Sequence, residues 1–65
     1  MNQVRTYGRM ELAQVYFPAL DQRSAWRKLK ILLLDNPATA HLARLTRRTF
    51  LPVEVSAIYA SLGEP

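Results

Sequence analysis

The stretch from Asp21 to Leu34, DQRSAWRKLKILLL, constrains the fold of this chain more than any other part of it. With a helical period of about 3.6 residues, Ala25, Trp26, Leu29, Leu32 and Leu33 fall on one arc, and Arg23, Arg27 and Lys30 on the opposite one. Such a pattern specifies an amphipathic helix whose apolar arc needs other elements to cover it. Asp21 is the expected N-cap, because its side-chain oxygen can accept from the N–H of Arg23 or Ser24 and its charge opposes the positive helix end. Ser24 is a competing cap that would shorten the helix by most of a turn. Leu20 and Ala25 occupy staple positions, and Asn36-Pro37 should stop the helix.

The flanking sequence supplies three further helices. Met1 to Thr6 has no helical period, and Val4 and Met1 are its aliphatic anchors. Thr6 or Gly8 then opens a first helix over about Arg9 to Tyr16; with Gly8 as N-cap, Glu11 falls at N3 and Tyr7 and Leu12 form a staple. Leu12, Val15 and Tyr16 recur at helical spacing, and Pro18 pushes Phe17 out of the helical region. Asn36 as N-cap and Pro37 at N1 predict a third helix from Pro37 to Leu45 that buries Ala38, Leu42 and Leu45. Thr46 to Leu51 is a polar, basic connection with two β-favouring threonines, suited to a short extended segment or wing. Pro52 at N1 and Glu54 at N3 start a fourth helix with the stripe Val55, Ile58, Tyr59 and Leu62, ended by Gly63 as an αL cap. No alternating run is long enough for a sheet fold. The expected class is therefore all-α: one domain over residues 1–65, a small bundle of about four short helices.

Sixty-five residues bury only about three fifths of the surface the unfolded chain exposes, so stability is marginal. The absence of cysteine removes disulfides and thiolate metal sites, which leaves helix packing or oligomerisation to hold the fold and fits a reducing compartment. The N-terminal stretch lacks a signal-peptide core, and the longest apolar run, Ile31 to Leu34, is too short to cross a bilayer. The expected location is cytoplasmic, without a membrane partner. A net charge of +4, with seven arginines among nine basic residues, makes polyanions the favoured charged partners. Arginine's planar fork matches phosphate and guanine edges better than lysine's point charge does.

Arg23, Arg27 and Lys30, with Lys28 on the flank, form the candidate phosphate-contacting face, placed where a recognition helix presents side chains to the major groove. The competing reading is a solvated face, the usual fate of charges on an amphipathic helix. Arg47 and Arg48 are candidates to reach an adjacent backbone as a wing would, against the commoner reading of solvated loop arginines. Ile31 and Leu34 project from the polar side as an apolar spot that the third helix, the C-terminal segment or a partner subunit would cover; they form a candidate partner interface, for a second copy or an acidic protein. Trp26, Tyr7, Tyr16 and Tyr59 read as core or boundary aromatics rather than base-stacking platforms. His41 stands alone without further metal-ligating residues, and Ser24, Ser56 and Ser61 lack a nucleophile-elbow context. Gly8 and Gly63 alone build no phosphate loop. These residues predict no enzyme, no cofactor and no small-molecule substrate.

The pieces Arg5-Thr6-Tyr7-Gly8-Arg9, Glu11-Leu12-Ala13, Tyr16-Phe17-Pro18, Ser24-Ala25 with Leu29, Asn36-Pro37 and Leu62-Gly63-Glu64-Pro65 span nearly the whole chain. In combination they resemble the short bacterial proteins catalogued as domain of unknown function four-two-four-eight. The family brings no activity with it; more distantly the chain resembles a helix-turn-helix module, with ELA on the first helix and the helix containing Ser24 and Ala25 in the recognition position. Leu51 stands where family members usually place Thr or Ser, and the connection between the third and fourth helices is shorter than theirs. Phe17-Pro18-Ala19-Leu20 also replaces the compact glycine-containing turn of the tight motif. The first expectation is a helix-turn-helix-like DNA-binding or DNA-associated regulatory module that contacts duplex DNA. The alternative is a small protein-interaction module with an apolar docking spot and a basic face.

Overall fold

Caps set most of the element boundaries. The computed structural model describes residues 3–65, in the order β1 (Tyr7–Gly8), α1 (Arg9–Tyr16), α2 (Gln22–Asp35), α3 (Ala40–Ala43), β2 (Thr49–Phe50) and α4 (Pro52–Leu62). The Ser24 N–H donates to Asp21 Oδ1 at 2.9 Å, so Asp21 and not Ser24 begins α2. At the start of α1 the Gly8 N–H donates to Glu11 Oε1 at 3.1 Å, while Tyr7 and Leu12 are both buried. Pro18 ends α1 as expected, with Phe17 at φ −130° and ψ 70°. The chain then turns through a Leu20 N–H to Phe17 carbonyl bond of 3.1 Å, and the Gln14 amide holds the Leu20 carbonyl at 3.0 Å. α4 starts at Pro52, and the Leu51 N–H donates to Glu54 Oε1 at 2.8 Å; Leu51 has no oxygen with which to return the bond.

The extended segment expected between the third and fourth helices is Thr49–Phe50. It pairs antiparallel with β1, Tyr7 opposite Phe50 and Gly8 opposite Thr49, and the Arg9 N–H continues the ladder to the Arg48 carbonyl at 2.9 Å. Tyr7 and Phe50 both turn into the core, so this short ribbon clasps the start of α1 to the approach to α4. The architecture is a small all-α bundle of four helices with that clasp added.

The third helix departs from expectation. Instead of Pro37 to Leu45 it covers Ala40–Ala43, preceded by a turn in which the Thr39 N–H meets the Asn36 carbonyl at 3.0 Å and the Ala38 N–H meets Asn36 Oδ1 at 3.0 Å. Asn36 does cap, but it caps this turn. Thr39 is fully buried, and its hydroxyl donates to the Leu33 carbonyl at 3.0 Å, which also accepts from the Asn36 N–H at 3.3 Å at the end of α2. That hydroxyl bond places Thr39 inward and Ala38 in solvent, although Ala38 was expected to be buried. Beyond Ala43, bonds from Arg44 N–H to His41 and from Leu45 N–H to Leu42 tighten the chain into three-residue turns that end the helix.

Three smaller expectations are also corrected. Leu32, assigned to the apolar arc of α2, is 40% exposed, because the buried stripe Ala25, Leu29 and Leu33 is narrower than the wheel suggested. Val4 is 53% exposed and anchors nothing; Met1 lies outside the described residues. Gly63 has φ 86°, which an L side chain resists, but its ψ of 161° lies outside the αL well. Its N–H still closes α4 on the Tyr59 carbonyl at 2.8 Å.

Leu12, Ala13, Ala25, Leu29, Leu33, Leu42, Phe50, Val55 and Ile58 form one continuous core. Tyr7 and Tyr59 belong to this core and Tyr16 packs at its edge, in line with the core or boundary roles expected of them, and all three tie the ends of the chain to it. Tyr7 and Tyr59 hydroxyls both donate to the Gln3 carbonyl at 3.2 Å, and the Tyr16 hydroxyl donates to the Gly63 carbonyl at 2.6 Å. Burial pushes the Tyr16 hydroxyl up to about 12 and moves Tyr59 upward as well.

Candidate functional site

Helix α2 turns Ala25, Leu29 and Leu33 inward, and that orientation decides what its other faces show. Arg23, Arg27 and Lys30 share one exposed flank, spaced by about one turn. The two ion pairs among the described residues are Arg5 with Glu11 at 2.9 Å and Arg47 with Glu54 at 2.7 Å, so this flank carries no ion pair. Asp21, the cap below the flank, is held under the usual carboxylate range, first by its bonds to Ser24 and then by the charges of Arg27 and Arg23.

The remaining candidates separate into different places. Lys28 lies across the helix from the arginine flank, its Nζ 5.9 Å from the centroid of the Phe17 ring. Arg47 is committed within the fold: its guanidinium forks onto both oxygens of Glu54, at 3.0 and 2.7 Å, and bridges the β2 approach to the first turn of α4. The Glu54 carboxyl is held low by this fork, and Glu11 is held low chiefly by Arg5. Arg48 is exposed, with its backbone carbonyl fixed by Arg9.

Ile31 and Leu34 are both exposed, at 55% and 39%. Ile31 joins Leu32, Phe17 and the stem of Lys28 around a shallow cleft of about 330 Å³, and Leu34 is not part of its lining. The apolar spot is thus Phe17, Ile31 and Leu32, made by the turn after α1 as much as by α2. Phe17 and Leu32 escaped the sequence reading because one was assigned to the turn and the other to the core.

A second cleft, open and about 380 Å³ in volume, is lined by Gly8, Arg9, Met10, Glu11, Arg23 and Arg48. Arg9 was not singled out from sequence. Its guanidinium lies 5.2 Å from the centroid of the Trp26 ring, and Trp26 packs on Phe50 with ring centroids 6.0 Å apart. The only available signal was its place directly after the Gly8 cap, which does not say what it faces.

Fold and surface together define a small all-α domain, clasped by a two-residue ribbon, with one basic and one apolar flank on its longest helix. The chain belongs to the family described as "Domain of unknown function (DUF4248)", whose model matches residues 3–65, in agreement with the resemblance carried by RTYG, ELA, YFP and LGEP. No curated protein and no solved structure matches it. Among the described residues, no helix is long and apolar enough to cross a membrane.

Proposed function

We propose that this chain is a helix-turn-helix-like DNA-binding or DNA-associated regulatory module of the bacterial cytoplasm, with α2 as the element laid against the duplex. The observation that carries this reading is the exposed flank of Arg23, Arg27 and Lys30, free of ion pairs, on a 14-residue helix whose opposite side is locked into the core. A rigid row of cations of that kind suits backbone phosphates, and the net charge of +4 favours approach to a polyanion. The order of an eight-residue helix, a short turn and a longer helix is compatible with such a docking.

Fluorescence anisotropy with random and genomic duplexes over a range of salt tests it. Three phosphate contacts give a slope of log K against log salt of roughly −2.7 per subunit. The Arg23→Ala plus Arg27→Ala variant should flatten that slope by about 1.8. Absence of duplex binding at low salt, or an unchanged slope in the double variant, overturns the proposal.

The apolar cleft of Phe17, Ile31 and Leu32 favours a second reading, a protein-interaction module that docks a second copy or an acidic partner. It predicts association that Ile31→Glu weakens at unchanged helix content, measured by sedimentation and circular dichroism. A chain that stays monomeric well above micromolar concentration removes the homodimer form of this reading.

A further inference from the structure

We propose that the cleft between the start of α1, the first turn of α2 and Arg48 is a phosphate-binding site, in which a phosphate group sits on the guanidinium forks of Arg9, Arg23 and Arg48. Three distant parts of the sequence are brought together there by identifiable contacts. The bond from Arg9 N–H to the Arg48 carbonyl, 2.9 Å, sets those two residues side by side at the end of the ribbon. The Arg9 side chain then leans over Trp26, which stands one turn after Arg23 on α2. All three arginines line the one cleft.

Three arginines line this one cleft, and among the described residues none of them is in an ion pair, the nearby Asp21 carboxylate acting on Arg23 through its charge alone. Glu11 lines it, but both carboxylate oxygens are engaged elsewhere, Oε1 by the Gly8 N–H at 3.1 Å and Oε2 by Arg5 at 2.9 Å. The other described ion pair, Arg47 with Glu54, leaves Arg9, Arg23 and Arg48 outside it. Such a set is completed by an anion from outside the chain, and arginine forks match the tetrahedral oxygens of phosphate with paired, charge-assisted hydrogen bonds. A volume of about 380 Å³ accommodates a phosphate together with part of the sugar it is attached to, with Met10 as an apolar wall. The phosphate is either a diester of a duplex backbone or a free phosphate or monoester. Only the first source rests on the DNA-binding reading.

Titration of the folded chain with inorganic phosphate at constant ionic strength, followed through the arginine Nε–H resonances, tests the site. Saturable shifts at Arg9, Arg23 and Arg48, weakened about tenfold in Arg48→Gln and unchanged in the distant Arg44→Gln, are expected. Arg48→Gln keeps the backbone bond of the ribbon, and a circular dichroism melt of the variant checks that the fold survives. Shifts that do not saturate, or that spread evenly over all arginines, overturn the proposal. Duplex binding then identifies the source. A salt slope flattened by about 0.9 in Arg48→Gln assigns the phosphate to a nucleic-acid backbone. An unchanged slope alongside lost inorganic-phosphate binding assigns the site to a free phosphate or monoester. Should the wild type bind no duplex at all, the DNA reading falls while the phosphate titration still decides this one.

Discussion

At the scale of single residues, the start of α4 is the position where chemistry is left incomplete. Leu51 has the extended N-cap geometry, φ −72° and ψ 160°, and it is 45% exposed, so its side chain contributes little burial. Leu51→Thr adds an oxygen at the cap and should stabilise the chain by about 0.5 to 1.5 kcal/mol, read from urea midpoints. A less stable variant would show that the leucine packs more than its exposure indicates. Glu54, three residues on, both caps Leu51 and pairs with Arg47. Its folded carboxyl is held below the ordinary value of 4.5, chiefly by Arg47. The native state therefore binds the proton less readily than the unfolded chain does, so this contribution is complete above 4.5 and disappears as the pH falls through the lowered value. Glu54→Gln keeps an acceptor for the cap but loses the charge. It should cost about 1 kcal/mol at neutral pH, with the difference from wild type closing in acid when denaturation is repeated across pH.

Among the elements, those delimited by their own neighbours were legible. Asp21 to Ser24, Gly8 to Glu11, Pro18 and Pro52 mark the ends of α1, α2 and α4 through contacts within a few residues, which a linear reading can see. α3 was not legible, because its start depends on Thr39 finding the Leu33 carbonyl across the turn, a contact that exists only once α2 has formed and stopped. Thr39→Val keeps the shape of this fully buried side chain but removes its hydroxyl bond to that carbonyl, which retains the Asn36 N–H at 3.3 Å, and should cost about 0.5 to 1.5 kcal/mol by urea denaturation. Equal stability would mean that the turn, and not the hydroxyl, holds α3 in place. The ribbon was half legible: Thr49 and Phe50 have strand character, whereas Tyr7 and Gly8 satisfy a helix cap and a strand at once, and local sequence revealed only the cap.

For the whole molecule, one core cluster joins every helix to the ribbon, and unfolding should be a single transition. Trp26, the one tryptophan, packs on Phe50 of β2 and so reports on the clasp, while circular dichroism reports on the helices. The two signals should give coincident urea curves; an earlier fluorescence transition would show that the clasp opens on its own. The sequence alone determined the class, the boundaries of three helices and the placement of Arg23, Arg27, Lys30, Ile31 and Leu34 on the side of α2 away from its apolar arc, since periodicity and caps are properties of adjacent residues. Tertiary structure decided which cations stand together. Arg47 is held by Glu54, Lys28 is turned to the far flank, and Arg9 and Arg48 are drawn beside Arg23 by a ribbon and an aromatic contact between residues far apart in the chain. Side chains from distant segments meet only after the backbone between them has folded, and the spacing of residues along a chain does not encode that meeting.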